Sequence, residues 1–369
     1  MNKTENSSRV RSKLVKFLIS ILFALFILEV FSRVWLNFIV SEEDRFEYSI
    51  YSYLRPDNQR YIPHHYLNYY LNPKYKKGKI YHNSLGYRDN EFSVKKPEEV
   101  FRIVAIGGSS TYTIKVNDNE KTFTSHLDRI LQDKYGYNNV VVINAGVGGY
   151  NSWESLINLQ FRVIDLNPNL VIVYHGTNDI HARFVDPASY KSDNTGRRKQ
   201  WRNPNIPILE HSVLFRILLR KSGITAQVGI GNFVDSDTAY NASSLIEIDP
   251  FDLLKKNPPN YFKKNLNNMV AVSRANGVEI MFATWAHSPK FFGDYASYPH
   301  YEQGFKENNE VVKEVAKING IPLFDFASKM PDDTKYWADG RHVNEFGAEK
   351  KAELFAEFIH NSGLIQYSE

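Results

Sequence analysis

Short apolar runs alternate with amphipathic runs from about residue 101 to the end of the chain, and this alternation is the strongest constraint on the fold. The apolar runs predict five strands, at 102–106, 140–143, 170–174, 278–284 and 321–326. Between them, apolar residues recur at the spacing of amphipathic helices. Strands and helices that alternate in this way form a parallel sheet with helices on both faces. We therefore predict a three-layer α/β/α domain with a five-stranded parallel sheet over residues 99–365.

Residues 182–260 interrupt this alternation. They contain one amphipathic helix, at 213–221, within polar sequence that includes prolines. We interpret the stretch as an insertion over the edge of the sheet where parallel α/β domains bind ligands, because loops at such edges usually shape access to the site. A passive surface decoration is the alternative interpretation.

Residues 17–40 are almost continuously apolar and predict one membrane-spanning helix. A helix of this length is about 36 Å long, which is enough to cross a bilayer with some tilt. Glu29 and Arg33 are charged, but they lie four residues apart and can pair on one helix face. About eighteen apolar residues at about −0.4 kcal/mol each outweigh two charges at about +3 kcal/mol each.

The charges that flank this helix predict its orientation. Residues 1–16 carry five lysines and arginines, whereas Glu42, Glu43 and Asp44 follow the helix. The positive-inside rule then predicts a cytoplasmic tail over 1–16 and an extracytoplasmic location for everything after residue 40, in the periplasm or at the cell surface. A cleaved signal peptide is the main alternative, but no small-residue cleavage site follows the apolar run. A buried helix of a soluble protein is disfavoured by the flanking charges.

Residues 41–98 form a distinct juxtamembrane segment. Ten tyrosines lie between Tyr48 and Tyr87, mixed with proline, asparagine and lysine, and no helical period persists. We predict extended strands and turns that link the anchor to the domain and pack onto it. Contact with a ligand is the alternative role for these tyrosines.

Composition excludes several classes of function. The formal net charge is +4, from 45 basic and 41 acidic residues, which is too small an excess to indicate nucleic-acid binding. The absence of cysteine excludes disulfides, thiolate nucleophiles and cysteine-ligated zinc.

The spacing of motifs excludes two further kinds of site. The glycine-rich segment at 146–149 lacks the spacing of a dinucleotide site, and no phosphate-binding lysine follows it. Histidines and acidic residues do not fall at metal-ligand spacings, so no metal site is predicted.

Polar residues follow the ends of the predicted strands, where ligands bind in parallel α/β sheets. The first strand ends in 107–111 (Gly-Gly-Ser-Ser-Thr), the second in 144–151 and the third in 175–179 (His-Gly-Thr-Asn-Asp). The sequence Asp339-Gly340-Arg341-His342 precedes the last predicted helix. These segments therefore hold the candidate site.

Acyl transfer needs an activated serine, a base, a group that orients the base, and donors for the oxyanion. Ser109 follows two glycines on a tight turn, and His342 is the candidate base. Asp339 can reach the same imidazole if residues 339–342 make one turn. The Ser109 backbone N–H, the unobstructed backbone N–H of Gly149 and the Asn178 side-chain amide are the candidate oxyanion donors.

These segments resemble the blocks of the SGNH hydrolase superfamily, the GDSL-like lipases and acylhydrolases. The family's Gly-Asp-Ser block matches residues 107–109, and its second block places a glycine donor at Gly149. Its Gly-x-Asn-Asp block matches 176–179, and its Asp-x-x-His block matches 339–342. The resemblance extends over roughly residues 100–362. It implies a flavodoxin-like SGNH fold, Ser109, Asp339 and His342 as a catalytic triad, and Gly149 and Asn178 as oxyanion donors with the Ser109 amide.

Two residues depart from the family pattern. Gly108 replaces the aspartate beside the nucleophile, and Thr113 stands where a glycine often follows. Neither change removes a catalytic group, although the first alters hydrogen bonding around the nucleophile. Ser110 is the rival nucleophile, and the register of the motif favours Ser109.

The sequence indicates the roles of several other residues near the strand ends less strongly. Asp179 is interpreted as structural. Trp285, His287 and His175 are candidate substrate contacts, with packing as the alternative for each. Residues 83–88 resemble a segment that often precedes the domain in anchored relatives of this family, and Arg88 is interpreted as a structural bridge.

The resemblance implies a serine esterase that needs no cofactor and forms a covalent acyl-serine. A membrane-anchored, extracytoplasmic site favours ester groups on carbohydrate or lipid of the cell envelope as substrates. Transfer of an acyl group to an envelope polysaccharide, with a multi-spanning membrane acyltransferase as partner, is the first alternative. A non-catalytic binding or assembly module on the same scaffold is the second, and the intact triad argues against it.

Overall fold

The computed structural model describes residues 2–41, 45, 48, 59–64, 66–73, 75–193, 196–198, 208–222 and 248–366. The acidic residues after the predicted anchor, part of the tyrosine-rich segment and much of the 182–260 stretch lie outside these residues. The chain divides into two compact units, one of Met1–Gln59 with Arg202–Val228 and one of Arg60–Trp201 with Gly229–Glu369. The second unit begins at Arg60, so it includes the later part of the tyrosine-rich segment together with the predicted 99–365 domain.

The helices and strands are as follows. The helices are α1 (Asn2–Val34), α2 (Ser109–Tyr112), α3 (Phe123–Asp133), α4 (Ser152–Asn158), α5 (Thr177–His181), α6 (Val213–Lys221), α7 (Pro250–Lys256), α8 (Asn260–Ala275), α9 (Pro299–Asn319) and α10 (Glu345–Asn361). The strands are β1 (Tyr61–Pro63), β2 (Tyr69–Leu71), β3 (Lys76–Lys77), β4 (Ile80–Tyr81), β5 (Phe101–Gly107), β6 (Val140–Gly146), β7 (Leu170–Tyr174), β8 (Glu279–Ala283) and β9 (Leu323–Phe324).

The first unit is built on α1, which continues through a short π-helix at Trp35–Ile39. Residues 11–28 are exposed on all sides of the helix. One helix among the described residues, Arg11–Ile39, is long and apolar enough to cross a membrane, with a mean hydropathy of 2.5. Glu29 is partly buried, and Ser32 and Leu36 are buried. These three positions lie on one face of the helix.

The Glu29 carboxylate caps the N-terminus of α6 within this unit. One oxygen accepts the backbone N–H of Val213 at 3.0 Å, and the other accepts the Leu214 N–H at 2.9 Å and the Ser212 hydroxyl at 2.6 Å. Arg33 Nε donates to the same carboxylate at 2.8 Å, so the predicted pairing of Glu29 and Arg33 is confirmed. The α6 helix of the 182–260 stretch therefore packs on α1.

The second unit contains the predicted five-stranded parallel sheet, in the order β6-β5-β7-β8-β9. All four pairings are parallel, and the five predicted strands are confirmed, with bounds that differ by a few residues. The last strand, β9, lies at the edge of the sheet. It has only two residues in the ladder, where 323–324 pair with 282–283 of β8.

Helices cover both faces of this sheet, which confirms the three-layer architecture. Alternate residues of β5 enter two separate cores, Ile103 and Ala105 on one side and Val104 and Ile106 on the other. The first core is completed by α3 and α10, and the second by α8 and the C-terminal half of α9. The carboxyl ends of β5, β6 and β7 therefore meet at one edge, beside the polar segments that follow them.

The predicted structural bridge at Arg88 is present. Its guanidinium is buried and donates to the carbonyl oxygens of Tyr112, Thr113 and Val116 at 2.7–3.1 Å, and to the Asn119 side chain at 3.0 Å. These acceptors lie at the end of α2 and in the loop that follows it. Arg88 thus holds the chain that leaves the candidate nucleophile turn.

Candidate active site

The candidate nucleophile lies where β5 turns into the short helix α2. Two glycines precede Ser109, and neither position has room for a side chain. A Cβ at Gly107 would lie 2.4 Å from the Tyr174 carbonyl oxygen, and one at Gly108 would lie 2.7 Å from the Asn178 amide nitrogen. The family's aspartate cannot fit at 108 in this arrangement, because the Asn178 side chain occupies the space. Glycine at position 108, where the family has aspartate, therefore allows the nucleophile turn to lie in close contact with the Asn178 side chain.

The three predicted triad residues lie in one hydrogen-bonded chain. Ser109 Oγ is 2.7 Å from His342 Nε2, although the two residues are 233 positions apart. His342 Nδ1 lies 2.9 and 3.0 Å from the two carboxylate oxygens of Asp339. The same carboxylate accepts the backbone N–H groups of Arg341 and His342 at 2.9 and 2.8 Å, so residues 339–342 form the expected tight turn. The imidazole is thereby aimed at the serine oxygen.

Asp339 is held in its ionised form. Burial by itself raises its pKa, but the hydrogen bond and charge of His342 outweigh burial and hold the pKa well below its usual value. Lys115 Nζ lies 3.3 Å from the same carboxylate and is about half exposed. The sequence reasoning did not identify Lys115, since no motif includes it and its only signal was a positive charge six residues after the nucleophile.

The predicted oxyanion donors are the Ser109 and Gly149 backbone amides and the Asn178 side chain, which lies against the nucleophile turn. Within the described part of the chain, the backbone N–H groups of Ser109 and Gly149 make no hydrogen bond to a protein acceptor. Gly149 has φ of +83°, a conformation that favours glycine. Asn178 Nδ2 donates to the Tyr150 carbonyl oxygen at 2.8 Å, and an amide nitrogen retains a second proton for another acceptor. Among the described residues, the two backbone amides and the second Asn178 proton are therefore left without a protein acceptor.

Ser110, the rival nucleophile, has a different environment. Its side chain is buried, and its hydroxyl donates to the Arg341 carbonyl oxygen at 3.0 Å. This bond joins the nucleophile turn to the loop that carries His342. The geometry therefore favours Ser109 as nucleophile and gives Ser110 a structural contact.

Asp179 and His175 form a buried polar pair behind the site. Asp179 accepts the backbone N–H and the hydroxyl of Ser152 at 2.9 and 2.6 Å, and His175 Nδ1 lies 3.4 Å from its second oxygen. Both side chains are almost fully buried. These contacts tie α5 to the start of α4, so they agree with a structural role for Asp179 and favour packing over substrate contact for His175.

The two candidate contacts that follow β8 differ in exposure. Trp285 is buried, stacks on Tyr174 at 4.7 Å, and lies where a Cβ on Gly176 would be. This favours packing for Trp285. His287 is partly buried and stacks on Phe305 at 4.5 Å, and burial lowers its pKa. His287 therefore remains a candidate contact.

Lys351 is a buried residue that the sequence reasoning missed. It lies on the face of α10 that also carries Ala348, Ala352 and Phe355, and it is 1 % exposed. Its Nζ donates to the Ser110 carbonyl oxygen at 3.3 Å. The available signal was a lysine at an apolar position of the predicted last helix.

The arrangement supplies an activated hydroxyl, a base, an anion that orients the base and three donors, which is the set that acyl transfer requires. Within the described residues, no three metal-binding side chains lie together.

Comparison with known proteins agrees with the motif resemblance. A model of the GDSL-like lipase/acylhydrolase family matches residues 105–350. No curated protein matches the chain. The lipase/acylhydrolase from Enterococcus faecalis is 18% identical, with a TM-score of 0.44 over 73% of this chain and 100% of that one. A GDSL-like lipase from Bacteroides thetaiotaomicron VPI-5482 is 16% identical, with a TM-score of 0.38 over 71% and 86%.

A third similar structure is LAE5, an alpha/beta hydrolase enzyme from the metagenome of Lake Arreo, Spain. It is 15% identical, with a TM-score of 0.41 over 72% of this chain and 96% of that one. The family match covers the segments that carry Ser109, Gly149, Asn178, Asp339 and His342. The chain therefore belongs to the GDSL-like lipase/acylhydrolase family, as the motifs of its sequence predict.

Proposed function

We propose that this chain is a membrane-anchored serine esterase that hydrolyses ester-linked acyl groups on extracytoplasmic carbohydrate or lipid. The observation that carries the proposal is the continuous hydrogen-bonded chain from Ser109 through His342 to Asp339. The family is one of ester hydrolases, and the chain retains each group that the reaction uses.

The first half-reaction forms an acyl-enzyme. Ser109 Oγ attacks the ester carbonyl carbon as His342 Nε2 takes the hydroxyl proton. The carbonyl oxygen becomes an oxyanion, which accepts hydrogen bonds from the Ser109 and Gly149 backbone amides and the Asn178 side chain. The tetrahedral intermediate then expels the alcohol, which takes the proton from His342. Asp339 stays ionised throughout, holds the imidazole in the correct tautomer and stabilises its charged form.

The second half-reaction returns the enzyme to its starting state. His342 takes a proton from water as the water oxygen attacks the acyl carbon. Collapse of the second tetrahedral intermediate breaks the bond to Ser109, which regains the proton from His342, and the carboxylic acid leaves. No cofactor enters either half-reaction.

The N-terminal helix supports an extracytoplasmic location for this chemistry. Residues 17–28 expose apolar side chains on every face, and basic residues precede them. A single-pass anchor with its N-terminus in the cytoplasm follows from the flanking charges. Substrates would then be ester-bearing components of the cell envelope.

Acyl transfer to an envelope polysaccharide is the second candidate function, and the anchor is the observation that favours it. A chain held at the membrane can receive an acyl group from a multi-spanning membrane partner. The acyl-serine then reacts with a sugar hydroxyl rather than with water, and the first half-reaction is unchanged. A binding module without catalysis is disfavoured, because such a module has no need for a polarised serine.

The test compares the wild type with Ser109→Ala and Ser110→Ala on p-nitrophenyl acetate. We expect Ser109→Ala to lower kcat by at least about a thousandfold, and Ser110→Ala to lower it by less than about tenfold. A fluorophosphonate probe should label the wild type and Ser110→Ala but not Ser109→Ala. A wild type that neither hydrolyses the ester nor reacts with the probe would contradict the proposal.

Hydrolysis and transfer are separated by adding an acceptor. The wild type is incubated with the ester and a soluble polysaccharide, and the polysaccharide mass is measured. A mass gain that needs Ser109 indicates transfer, whereas release of free acid alone indicates hydrolysis.

A further inference from the structure

Three successive carbonyl groups in the loop after β6 each accept a hydrogen bond from a side chain. The Gly148 carbonyl accepts the Tyr69 hydroxyl at 2.8 Å, and the Gly149 carbonyl accepts Arg198 Nη2 at 2.9 Å. The Tyr150 carbonyl accepts Asn178 Nδ2 at 2.8 Å. Asn178 belongs to the predicted site, whereas Tyr69 and Arg198 come from the tyrosine-rich segment and the 182–260 stretch. Two residues outside the family motifs therefore hold the candidate oxyanion loop.

Tyr69 acts on the peptide group that carries the oxyanion donor. The Gly148 carbonyl and the Gly149 N–H belong to one planar amide and point in opposite directions. A hydrogen bond that the oxygen accepts fixes the orientation of the N–H. It also polarises the amide, and hydrogen bonds in such chains strengthen one another. The Tyr69 hydroxyl thus makes the Gly149 N–H a better aimed and stronger donor.

The surroundings of Tyr69 hold it in this role. Its side chain is fully buried, its ring packs edge-to-face on Tyr61 at 5.5 Å, and its backbone oxygen accepts the Tyr150 hydroxyl at 2.5 Å. Tyr69 therefore donates one hydrogen bond to the oxyanion loop and accepts another from it. Burial raises the pKa of Tyr69 well above its usual value, so its hydroxyl keeps the proton that it donates.

Arg198 holds the next peptide group of the same loop. Its Nε donates to Glu154 at 2.5 Å, and the other Glu154 oxygen accepts the backbone N–H of Asn151 at 2.9 Å. Glu154 is fully buried at the start of α4. The adjacent Arg197 donates to the carbonyl oxygen of Asn178 at 3.2 Å. The two arginines therefore bind the main chain of two of the three residues that supply oxyanion donors, Gly149 and Asn178.

We propose that Tyr69 and Arg198 are positioning residues that preorganise the oxyanion hole. This inference rests on the proposed esterase function and adds to it. An oxyanion hole stabilises the transition state when its donors need no rearrangement during the reaction. Loss of either contact should then lower kcat and leave KM nearly unchanged, because the ground-state carbonyl bears little charge.

Tyr69→Phe is the sharpest test, because it removes one hydroxyl and keeps the ring. Tyr70→Phe is the matched control: Tyr70 is the next residue of β2, is also buried, and donates to the Leu85 carbonyl at 3.3 Å. On p-nitrophenyl acetate, we expect kcat of Tyr69→Phe to fall about tenfold with KM within about twofold. Tyr70→Phe should keep the kcat of the wild type.

Arg198→Met and Arg198→Lys extend the test to the second contact. Arg102→Met is the control, because Arg102 is buried at the start of β5 and binds the carbonyls of Ser93 and Val94 at 2.9 and 3.1 Å. Arg198→Met should lower kcat about tenfold or more, with partial recovery in Arg198→Lys. Arg102→Met should affect the melting temperature and leave kcat unchanged.

An alkyl boronic acid supplies a readout that a purely structural role would not change. It forms an anionic tetrahedral adduct with an active-site serine, so its affinity should fall by the same factor as kcat in Tyr69→Phe. Equal kcat and boronate affinity in Tyr69→Phe, Tyr70→Phe and the wild type would overturn the inference. A wild type without ester turnover would instead overturn the proposed function, and this inference with it.

Discussion

Lys351 lies directly behind Ser110, and its Nζ donates to the Ser110 carbonyl oxygen at 3.3 Å. The Nζ atom of Lys351 lies over the rings of Tyr174 and Phe123, at 3.9 and 4.2 Å from their centres. Burial lowers the pKa of Lys351 well below its usual value. The residue thus joins α10 to the nucleophile turn from the side of the core.

We expect Lys351→Met to change the pH dependence of stability. Lys351 binds its proton more tightly in the unfolded chain than in the folded chain. The free energy of unfolding of the wild type therefore rises with pH, up to the usual pKa range of lysine. Methionine cannot titrate, so the variant should lack this part of the slope. Chemical denaturation at pH 7 and pH 9 measures the difference, and parallel slopes for both proteins would contradict it.

Gly108→Ala should damage the oxyanion hole rather than the fold. The new Cβ would lie 2.7 Å from the Asn178 amide nitrogen and 3.0 Å from the Tyr150 carbonyl oxygen, so Asn178 must move. We expect ester turnover to fall about a hundredfold, as for loss of one oxyanion donor. In an Asn178→Ala background the same substitution should have little further effect, because the two changes act through one group. Additive losses would show that Gly108 acts through another contact.

Asp339→Asn and Lys115→Met should differ sharply in their effect on catalysis. An asparagine leaves His342 in the wrong tautomer, and kcat should fall by about a thousandfold or more. Lys115 is half exposed and its ion pair with Asp339 is screened by solvent, so kcat should change less than about threefold. Steady-state kinetics on p-nitrophenyl acetate measure both. A large loss in Lys115→Met would assign that lysine a direct part in the reaction.

We expect the Asp89 carboxylate to make the free energy of unfolding fall as the pH rises. It accepts the backbone N–H groups of Asn144 and Asn90, but burial dominates and raises its pKa to about 7. A raised pKa means that the folded chain binds more protons than the unfolded chain, so this stabilisation is present below about pH 4 and lost by about pH 7. Asp89→Asn should remove a decrease in unfolding free energy on the order of 4 kcal/mol across this window. Equal pH profiles for wild type and variant would contradict the assignment.

Glu29→Ala should weaken α6 locally. The substitution removes a side chain that accepts two backbone N–H groups and the Ser212 hydroxyl, and such caps contribute about 1 kcal/mol. Hydrogen exchange of residues 213–221 in detergent micelles should accelerate about fivefold. Arg33→Ala is the control, because it removes the exposed partner and leaves the cap, so a smaller acceleration is expected. Equal acceleration in both variants would mean that the ion pair, not the cap, holds α6.

The amino-acid sequence by itself determined the architecture and which residues are the candidate reacting groups. The period of the apolar residues predicts strands and helices locally, and parallel strands bring their carboxyl ends to one edge. Ser109, Asn178 and His342 could therefore be selected from the segments that follow strands or precede the last helix. Arg88 was likewise recognised from the segment that carries it.

Only the tertiary structure decided which residues support that site. Tyr69, Arg198 and Lys351 contact it through single hydrogen bonds to main-chain carbonyls, and a bond of this kind leaves no pattern in the sequence near the donor or the acceptor. The fit of Gly108 against Asn178 likewise depends on the distance between two loops. Local periodicity specifies each element, whereas contacts between residues far apart in the chain depend on how the folded elements pack.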